Sequence, residues 1–543
     1  MHRQITVLSL VVGILAFSSA GFAAPPVLEV SPTSLEFSAY DGGANPANQI
    51  LSIWRGGGNG LLNWEVIEDC NWLAVNPTSG QSTGEVDDVN VIVDISGLTG
   101  GTYNCQLTVD AGGAVNSPQV VDVNLYLVEV VYVPSEFPTI QDAIDYVVMD
   151  GSIVIVEPGI YTGAGNRDID LSGKSITVRS TDPNDPNIVA ATIIDCNGTV
   201  AEPHRGFYYY SLSDETTNLV IAGFTIINGY HNDGGGMYLS SGYSTMSNWT
   251  VRNCIISGNT ADWQGGGIFI GSASANCKID GCKFSNNTAG LGGGVCCRLN
   301  LTISNCTFSG NTSIGGDPLR GGGGIACYTC DSIITNCTIT GNTASNGGGI
   351  YSVKHLSPIE IDNCILWDNE APVGPEIYLS SFLFPVGPVT VSYSDVEGGY
   401  AAVHNGGDPP WFLPAGLVWG DGNIDEDPNF VNPDPNEPDY HLLPISPCIN
   451  AGDPAVVFDP NEKDIDGQPR VLYGRVDIGV DEVYPIAGDF EPDEDVDMVD
   501  FVFFATYWLE TGCGMCGGAD LTGDGNVNFY DLKEFTDKWL AGL

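Results

Sequence analysis

The sequence predicts a mainly β protein organised around a solenoid, because one short phrase recurs six times between Ile221 and Asn369. We take the asparagine that ends each copy as its closing asparagine, and these residues lie 31, 28, 24, 31 and 27 residues apart: Asn228, Asn259, Asn287, Asn311, Asn342 and Asn369. A glycine run and a short apolar strand follow all but the last copy. Repeats of this length with β-type content are typical of solenoids, in which each coil buries its apolar face against its neighbours.

Within each copy, side chains alternate with a period of two, which predicts a β-strand. Cys254 and Ile256 in one copy, and the matching pairs in the others, are predicted to point inward. Neighbouring coils lie about 4.8 Å apart, so equivalent residues stack, and the closing asparagines are predicted to form an amide ladder at the bend. The glycine run then permits a corner with positive φ. The cysteines at the repeat position are predicted to be buried core residues.

This pattern resembles the right-handed parallel β-helix of the pectin-lyase-like superfamily, especially its glycine-rich repeats similar to those of polymorphic outer membrane proteins. The glycine runs that carry the resemblance are Gly234–Gly236, Gly265–Gly267, Gly292–Gly294, Gly321–Gly324 and Gly347–Gly349. The resemblance implies a β-helix over residues 131–484, and it does not by itself assign an activity.

Both ends of this solenoid carry segments predicted to cap it. The stretch Phe137–Val147 has apolar residues at helical spacing, with Thr139 as the N-cap and Asp142 in the first turn. It resembles the helix that plugs the N-terminal end of many β-helices and covers the first coil. After Asn369 the repeat decays, and the following segment resembles the closing segment of secreted β-helix repeat proteins.

The acidic composition is compatible with cation binding and equally with a merely soluble, salt-tolerant surface, and the N-terminal residues indicate export. Formal net charge is −50, from 17 Lys+Arg and 67 Asp+Glu, which disfavours binding to nucleic acid and to anionic membranes and suits Ca²⁺. Residues 1–23 have the basic start, apolar run and small residues of a secretory signal peptide. No later stretch is long and apolar enough to span a bilayer. We therefore expect a secreted or cell-surface-associated chain.

Residues 25–128 contain seven short alternating strands, which predict an immunoglobulin-like β-sandwich. The stretches Ser31–Phe37 and Asn71–Gly80 resemble the BACON domain, which is often attached to carbohydrate-active enzymes. Cys70 and Cys105 are candidates for a disulfide between two strands. Two roles stay open for this domain: glycan binding, and a spacer without a ligand.

Residues 488–543 carry two loops with the oxygen ligands of an EF-hand at positions 1, 3, 5, 7, 9 and 12. The second loop has Gly525 at the sharp turn and the ligands Asp520, Thr522, Asp524, Asn526, Asn528 and Asp531. The first loop, 31 residues earlier, has Asp489, Glu491, Asp493, Asp495, Asp497 and Asp500, with Glu494 where glycine is usual. One or two Ca²⁺ ions are therefore predicted in this C-terminal module.

The doubled loop and helix resemble a type I dockerin, including Val496 and Val527 at position 8 of each loop. The resemblance implies a cohesin-like protein partner, selected in part by loop positions 10 and 11. Those positions are apolar here, Met498 and Val499 in the first loop and Phe529 and Tyr530 in the second, which predicts a hydrophobic docking surface. The nearby Cys513 and Cys516 are predicted to form a local disulfide, since a lone CxxC is weak evidence for a metal.

The strands that follow the glycine runs suggest a glycan-binding groove. Their outward residues include Tyr238, Phe269 and Tyr351, and Trp263 lies in a neighbouring turn; aromatic rings of this kind stack on sugar faces. For hydrolysis the candidate carboxylates are Asp233 and Asp262, with Asp317 also in these turns.

Lyase chemistry needs a basic residue beside a uronate. Arg320 is the best-placed candidate, followed by Lys354 and His355. None of these residues lies in a recognisable catalytic motif.

Two functions remain open at this stage. One is a secreted protein that binds or degrades polysaccharide, as a polysaccharide lyase or glycoside hydrolase if it is catalytic, and docks through its C-terminal module. The other is a non-catalytic surface, matrix or adhesin-like protein whose β-helix acts as a rod.

Overall fold

The computed structural model describes residues 24–543 except 172, 212–216, 242–246, 272–273, 299, 317–319, 329–331, 354–357, 383–387, 407–411, 414–415, 434–438, 444, 456–461, 471–474, 484–495, 513–515, 517–518, 523–524 and 540–543. The predicted signal peptide, 1–23, lies outside this range. The chain divides into two compact units, residues 1–130 and residues 131–543.

The first unit is a β-sandwich of a four-stranded and a five-stranded sheet, with strand orders β1-β3-β7-β5 and β2-β9-β8-β4-β6. Its strands are β1 (Val27–Ser31), β2 (Ser34–Tyr40), β3 (Gln49–Gly57), β4 (Leu62–Ile67), β5 (Leu73–Asn76), β6 (Ser79–Ser82), β7 (Val86–Val93), β8 (Gly101–Asp110) and β9 (Gln119–Val128). Strict alternation of apolar residues in these strands supplies one shared core, to which both sheets contribute fully buried residues such as Leu51 and Leu107. The predicted disulfide between Cys70 and Cys105 is present.

The second unit contains a parallel β-helix with three long sheets, which we number one to three in the order in which the chain visits them. Sheet one consists of β10 (Val130–Val133), β11 (Ile153–Val156), β14 (Thr177–Ser180), β17 (Asn218–Ala222), β21 (Ser247–Arg252), β25 (Ser274–Asp280), β29 (Leu301–Ser304), β33 (Ser332–Thr335), β36 (Ile359–Asp362), β39 (Pro388–Ser392) and β43 (Gly416–Trp419). Sheet two consists of β12 (Gly159–Tyr161), β15 (Thr192–Asp195), β18 (Thr225–Ile227), β22 (Ile255–Ser257), β26 (Lys283–Ser285), β30 (Thr307–Ser309), β34 (Thr338–Thr340), β37 (Ile365–Trp367) and β40 (Asp395–Val396).

Sheet three and a short edge sheet complete each coil. Sheet three consists of β13 (Ile169–Asp170), β16 (Phe207–Ser211), β20 (Met237–Ser241), β24 (Ile268–Ile270), β28 (Val295–Cys297), β32 (Ile325–Tyr328), β35 (Ile350–Val353), β38 (Ile377–Phe382) and β41 (Val403–Asn405). The edge sheet, between sheets two and three along the chain, consists of β19 (Tyr230–Asp233), β23 (Thr260–Gln264), β27 (Thr288–Leu291) and β31 (Thr312–Ser313). Strand β42 (Phe412–Leu413) pairs antiparallel with β38, and β44 (Phe430–Asn432) pairs with β45 (Asp439–Leu442).

The predicted asparagine ladder is present and buried. The backbone N–H of Asn259, Asn287 and Asn311 each donates to the side-chain oxygen of the equivalent asparagine one coil further on, at 3.0 Å. The ladder ends at Glu376, whose carboxyl accepts from both the backbone and the side chain of Asn369. Burial raises the pKa of Glu376 to about 8, although these two hydrogen bonds oppose the shift.

The first copy of the repeat departs from the prediction. Gly229, not Asn228, holds the ladder position, since its N–H donates to the side-chain oxygen of Asn259 at 2.8 Å. Asn228 has φ 56°, like Gly258 at the equivalent place in the next coil. The sequence pattern could not show whether Asn228 or Gly229 stands at the ladder position. Both asparagine and glycine tolerate the positive φ of the residue that precedes it.

The glycine runs form the predicted corners. The residue with positive φ is Gly234, Gly265, Gly292, Gly322 or Gly347 in successive coils. The glycine that follows allows close backbone contact: a Cβ on Gly293 would lie 2.5 Å from the carbonyl oxygen of Gly323. The repeat-position cysteines are buried free thiols in the core, as predicted: Cys254, Cys282, Cys306, Cys337 and Cys364.

The described residues of the second unit include five helices. Helix α1 (Ile140–Tyr146) is capped by Thr139, whose side chain accepts from the N–H of Asp142, as predicted. Helices α2 (Pro186–Ala191) and α3 (Gly399–Ala402) are short. Helices α4 (Met498–Thr506) and α5 (Phe529–Asp537) belong to the C-terminal module.

We expect Asn311→Ala to lower the free energy of unfolding by about 3 kcal/mol, because it leaves buried donors on Asn287 and the carbonyl of Phe284 without partners. Urea unfolding followed by circular dichroism measures the loss. Asn300→Ala, at an exposed position in the same unit, is the matched control. Equal midpoints for the two variants would contradict the ladder.

Candidate functional site

The candidate site lies on the outward face of sheet three, where parallel register stacks one residue from each coil. The stacked row runs Tyr208, Tyr238, Phe269, Cys296, Ala326, Tyr351, Tyr378 and His404. Adjacent rings are in contact: Tyr208 and Tyr238 have centroids 5.4 Å apart, and Tyr238 lies 5.3 Å from Phe269. Two of the predicted aromatic residues, Tyr238 and Phe269, are therefore neighbours in a stack that begins with Tyr208, a residue that the sequence analysis did not include.

The predicted exposure of these rings is wrong for two of them. Phe269 is 6% exposed and Tyr351 is fully buried, whereas Tyr238 is half-buried. Leu291 of the edge sheet joins their apolar cluster, and Gly321 lies so close to Tyr351 that a Cβ would approach its ring to 2.6 Å. Leu291 of the edge sheet and the chain at Gly321 thus help to cover this face, and the buried rings cannot stack on a sugar.

Three arginines lie on aromatic rings along this face, and we call this set the arginine–aromatic row. Arg205 lies 5.1 Å from the centroid of Tyr238, Arg298 lies 5.9 Å from that of Phe269, and Arg320 lies 4.7 Å from that of Trp263. The whole chain has only 17 basic residues, so three arginines on one face mark a local concentration of positive charge. Trp263 is 54% exposed and offers an open ring.

Arg205 is the most constrained member of the row, and the sequence reasoning missed it. It is 5% exposed, and its Nη1 has no hydrogen-bond partner among the described residues. Burial lowers the pKa of Arg205 to about 10, with Asp168 opposing the shift. Asp168 accepts from the backbone N–H of Arg205 and contacts the Nδ1 of His204 at 2.6 Å. The only signal in the sequence was a His-Arg pair just before a strand.

Two polar residues of β19 lie within electrostatic range of Arg205. Burial, and then the charge of Arg205, lower the pKa of His231, and its Nδ1 accepts from the N–H of Asn232 at 2.9 Å. The lowered pKa favours the neutral imidazole, in which the proton is on Nε2 because Nδ1 accepts from Asn232. Burial raises the pKa of Asp233, while Arg298 and Arg205 oppose the shift. Asp233 is the acid–base candidate that the geometry favours.

The second predicted carboxylate has a different environment. Strand β23 bulges, so Asp233 is in register with Gln264, whose amide donates to it at 3.4 Å. Asp262 lies within the bulge and accepts from the hydroxyl of Tyr230. The two carboxylates are thus engaged by different partners. Asp317, Lys354 and His355 lie outside the described residues.

In the second predicted calcium loop, the described acidic residues accept hydrogen bonds from the loop itself. The Asp520 carboxylate accepts from the N–H of Gly525, which has φ 82°. The buried Asp531 accepts from Thr522 at 2.8 Å and from the N–H of Asn528 at 2.8 Å. These oxygen side chains fit a hard cation such as Ca²⁺. The ligand Asp524 lies outside the described residues.

The first loop matches the second where it is described. The N–H of Asp497 donates to Asp500 at 2.8 Å, and both helices begin with a capping box. The ligands Asp489, Glu491, Asp493 and Asp495 lie outside the described residues. The four apolar residues predicted for docking are exposed: Met498 59%, Val499 51%, Phe529 74% and Tyr530 72%. Cys516 is disulfide-bonded, and its predicted partner, Cys513, lies outside the described residues.

Comparison with known proteins supports the fold. The family model for the right handed beta helix region matches residues 181–366 and 227–405. No curated protein matches the chain in sequence. In the part of the chain that the structure describes, no helix is both long and apolar enough to cross a membrane.

Among solved structures, the family 28 exopolygalacturonase of Yersinia enterocolitica is similar at 10% identity and TM-score 0.15, over 74% of this chain and 98% of that one. The periplasmic chaperone SfaE matches at 8% identity and TM-score 0.16, over 18% of this chain and 57% of the chaperone. The GH5 xyloglucanase of Bacteroides ovatus matches at 18% identity and TM-score 0.15, over 28% and 36%. At these TM-scores the similarities say nothing about activity. The central region of the chain is a right-handed parallel β-helix.

We expect Arg205→Gln to raise the pKa of His231, because the variant removes a nearby positive charge that now favours the neutral imidazole. Titration of the His231 ring protons by NMR measures this change, with the signal assigned through His231→Gln. Arg252→Gln, on sheet one, is the control and should leave that pKa unchanged. An unchanged pKa of His231 in Arg205→Gln would contradict the electrostatic interaction between Arg205 and His231.

Proposed function

We propose that this chain is an exported protein that binds an acidic polysaccharide through its β-helix and docks to a protein partner through its calcium-dependent C-terminal module. The observation that carries the first part is the arginine–aromatic row. Guanidinium groups pair with carboxylates in two parallel hydrogen bonds, and aromatic rings pack against the C–H faces of sugars. A polymer of uronic acids offers both groups at each repeat.

The exposed centre of the proposed glycan site is Trp263 with Arg320. The guanidinium lies over the indole at 4.7 Å, and the indole is more than half exposed. Half-buried Tyr238 and His231 continue the surface into the neighbouring coil. Arg205 has a supporting role, because its buried charge adds to the effect of burial in lowering the pKa of His231 and faces the rings of Tyr208 and Tyr238.

Binding is better supported than catalysis. Hydrolysis with inversion needs two carboxyl groups roughly 6.5–9.5 Å apart that flank the same glycosidic bond. The bulge of β23 instead gives Asp233 and Asp262 separate hydrogen-bond partners, so nothing pairs them around one bond. If the site is catalytic, Asp233 is the residue we expect to transfer a proton, in a lyase or hydrolase reaction on the bound uronate. The alternative, a non-catalytic rod or adhesin-like protein, is favoured by the burial of Phe269 and Tyr351, which shortens the open aromatic surface.

We propose further that the C-terminal module is dockerin-like and binds a cohesin-like partner. The exposed apolar pairs at the starts of α4 and α5 support this proposal, since they form matching surfaces on two similar halves. The N-terminal sandwich, proposed to be BACON-like, serves as a glycan-binding module or a spacer.

For the glycan site we expect Trp263→Ala to weaken binding to a uronate-containing polysaccharide by about tenfold, which corresponds to roughly 1.4 kcal/mol and is typical of one stacked ring. Tyr400→Ala, an exposed aromatic residue elsewhere in the β-helix, is the matched control and should bind normally. Affinity electrophoresis against uronate and neutral polysaccharides measures the effect. Unchanged binding by Trp263→Ala, or an equal loss of binding in Trp263→Ala and Tyr400→Ala, would overturn the assignment.

The same samples report catalysis. An ultraviolet signal from unsaturated uronate would indicate elimination, and reducing ends without that signal would indicate hydrolysis. Either activity should fall at least 100-fold in Asp233→Asn if this residue transfers the proton. A folded protein that neither binds nor cleaves any polysaccharide in the panel would support the rod.

For the calcium module we expect Asp520→Asn to remove one equivalent of bound Ca²⁺ from the full chain, because this carboxylate opens the second loop. Isothermal titration calorimetry counts the equivalents. Glu534→Gln, exposed on α5, should bind as the unmodified chain does. Full calcium binding by Asp520→Asn would contradict the assignment of that loop.

A further inference from the structure

A second group of metal-ligating side chains lies in the closing segment of the second unit, away from the calcium module in sequence. His441 of β45, Asp466 of a turn and Asp481 of the last described segment before residue 484 offer ligand atoms that all lie within 4.8 Å of one another. These residues come from three separate stretches of chain. Nothing in the repeat pattern singled them out, because they are brought together only by the packing of the closing segment.

His441 is oriented as a metal ligand. Its Nδ1 contacts the carboxylate of Asp439, and its Nε2 lies 3.1 Å from the Oδ1 of Asp466. This Nε2 is buried and makes no hydrogen bond with the described residues. When Nδ1 donates to Asp439, the lone pair on Nε2 is free to bind a cation, which would take the place of the proton that otherwise joins Nε2 to Asp466. Histidine ligands in metal sites typically donate their other ring N–H to a carboxylate in this way.

The spacing of the ligand atoms suits a small metal ion. Zinc binds nitrogen and oxygen ligands at about 2.0–2.2 Å, so neighbouring ligands lie roughly 3 to 3.5 Å apart. The 3.1 Å separation of His441 Nε2 and Asp466 Oδ1 falls in this range. The Oδ2 of Asp481 is fixed by the N–H of Leu442 at 2.8 Å, one residue from His441.

Asp464 provides an independent sign of a missing ligand. It is 8% exposed, and its Oδ2 is buried without a hydrogen-bond partner among the described residues. Its Oδ1 accepts from the N–H groups of Asp466 and Gln468, which fixes the turn that carries Asp466. Asp464 also lies within electrostatic range of Asp481. A buried carboxylate oxygen with no donor is costly unless a cation neutralises it.

The local charge balance also calls for a cation. Four carboxyl groups, those of Asp439, Asp464, Asp466 and Asp481, surround one imidazole and outnumber the nearby cations, of which Lys283 lies within electrostatic range of Asp439 and Asp466. Arg470 lies within electrostatic range of Asp464, but its closest contacts are with Glu482 at 3.6 Å and with the carbonyl of Gly479, to which it donates at 2.9 Å.

We propose that His441, Asp466 and Asp481 bind a divalent transition-metal ion of the Zn²⁺ class, with Asp439 orienting the histidine and Asp464 completing the acidic surroundings. The imidazole nitrogen favours this class over Ca²⁺ and Mg²⁺, which take oxygen ligands. The ion ties β45, the turn at 464–467 and the segment at 476–483 together. It therefore stabilises the closing segment of the unit.

The test is zinc titration of the full chain, without a histidine tag, in saturating Ca²⁺ so that the C-terminal loops are filled. We expect one equivalent of zinc to bind and to raise the thermal unfolding midpoint. His441→Ala and Asp466→Asn should each weaken zinc binding at least tenfold and abolish that rise. Asp466 is partly exposed, so its variant keeps the fold in which Asp481 caps Leu442.

His204→Gln is the matched control, because His204 also contacts an aspartate, Asp168, but does not belong to a three-ligand group in the described residues. It should bind zinc normally. Asp520→Asn should do so as well, which separates this site from the calcium loops. The proposal is overturned if the unmodified chain takes up no stoichiometric zinc. It is equally overturned if His441→Ala binds zinc as tightly as His204→Gln.

Discussion

The structure depends on one constraint: successive coils of a parallel β-helix lie one strand spacing apart, so each residue sits directly on its counterpart. Only residues that tolerate a copy of themselves can occupy such positions. Asparagine does so at the bend, because its amide donates to one coil and accepts from the other, as Asn287 and Asn311 show. Glycine does so at the corner, where a Cβ would meet the backbone of the next coil. Only a few residue types therefore fit the bend and corner positions of the repeat.

The same stacking shapes the candidate site. Outward aromatic residues of sheet three form a row because their strands are in register, and the edge strands then cover part of that row. What stays accessible is the rim, where Trp263 and Arg320 meet. The acidic surface elsewhere on the chain makes this arginine-rich face distinct. The specificity that we propose for an anionic polymer rests on a few side chains on a scaffold that is otherwise generic.

Much of the fold could be predicted from the sequence, because stacked positions require the same type of residue in every coil. The asparagine ladder, the glycine corners, the buried cysteines and the N-cap at Thr139 all followed from local patterns. The burial of Tyr351 could not be predicted, since it depends on which chain segment covers the face. Arg205 and the group around His441 were missed for the same reason: residues distant in sequence meet only through packing.

Hydrogen exchange of the full chain, followed by mass spectrometry, directly tests whether the asparagine ladder holds successive coils together. The backbone amides of Asn259, Asn287, Asn311 and Asn342 donate to side-chain oxygens of the next coil. We predict that the turns containing them exchange as slowly as the flanking strands of sheets two and three, as one cooperative unit. Turns that exchange orders of magnitude faster than those strands would contradict the ladder and the account built on it.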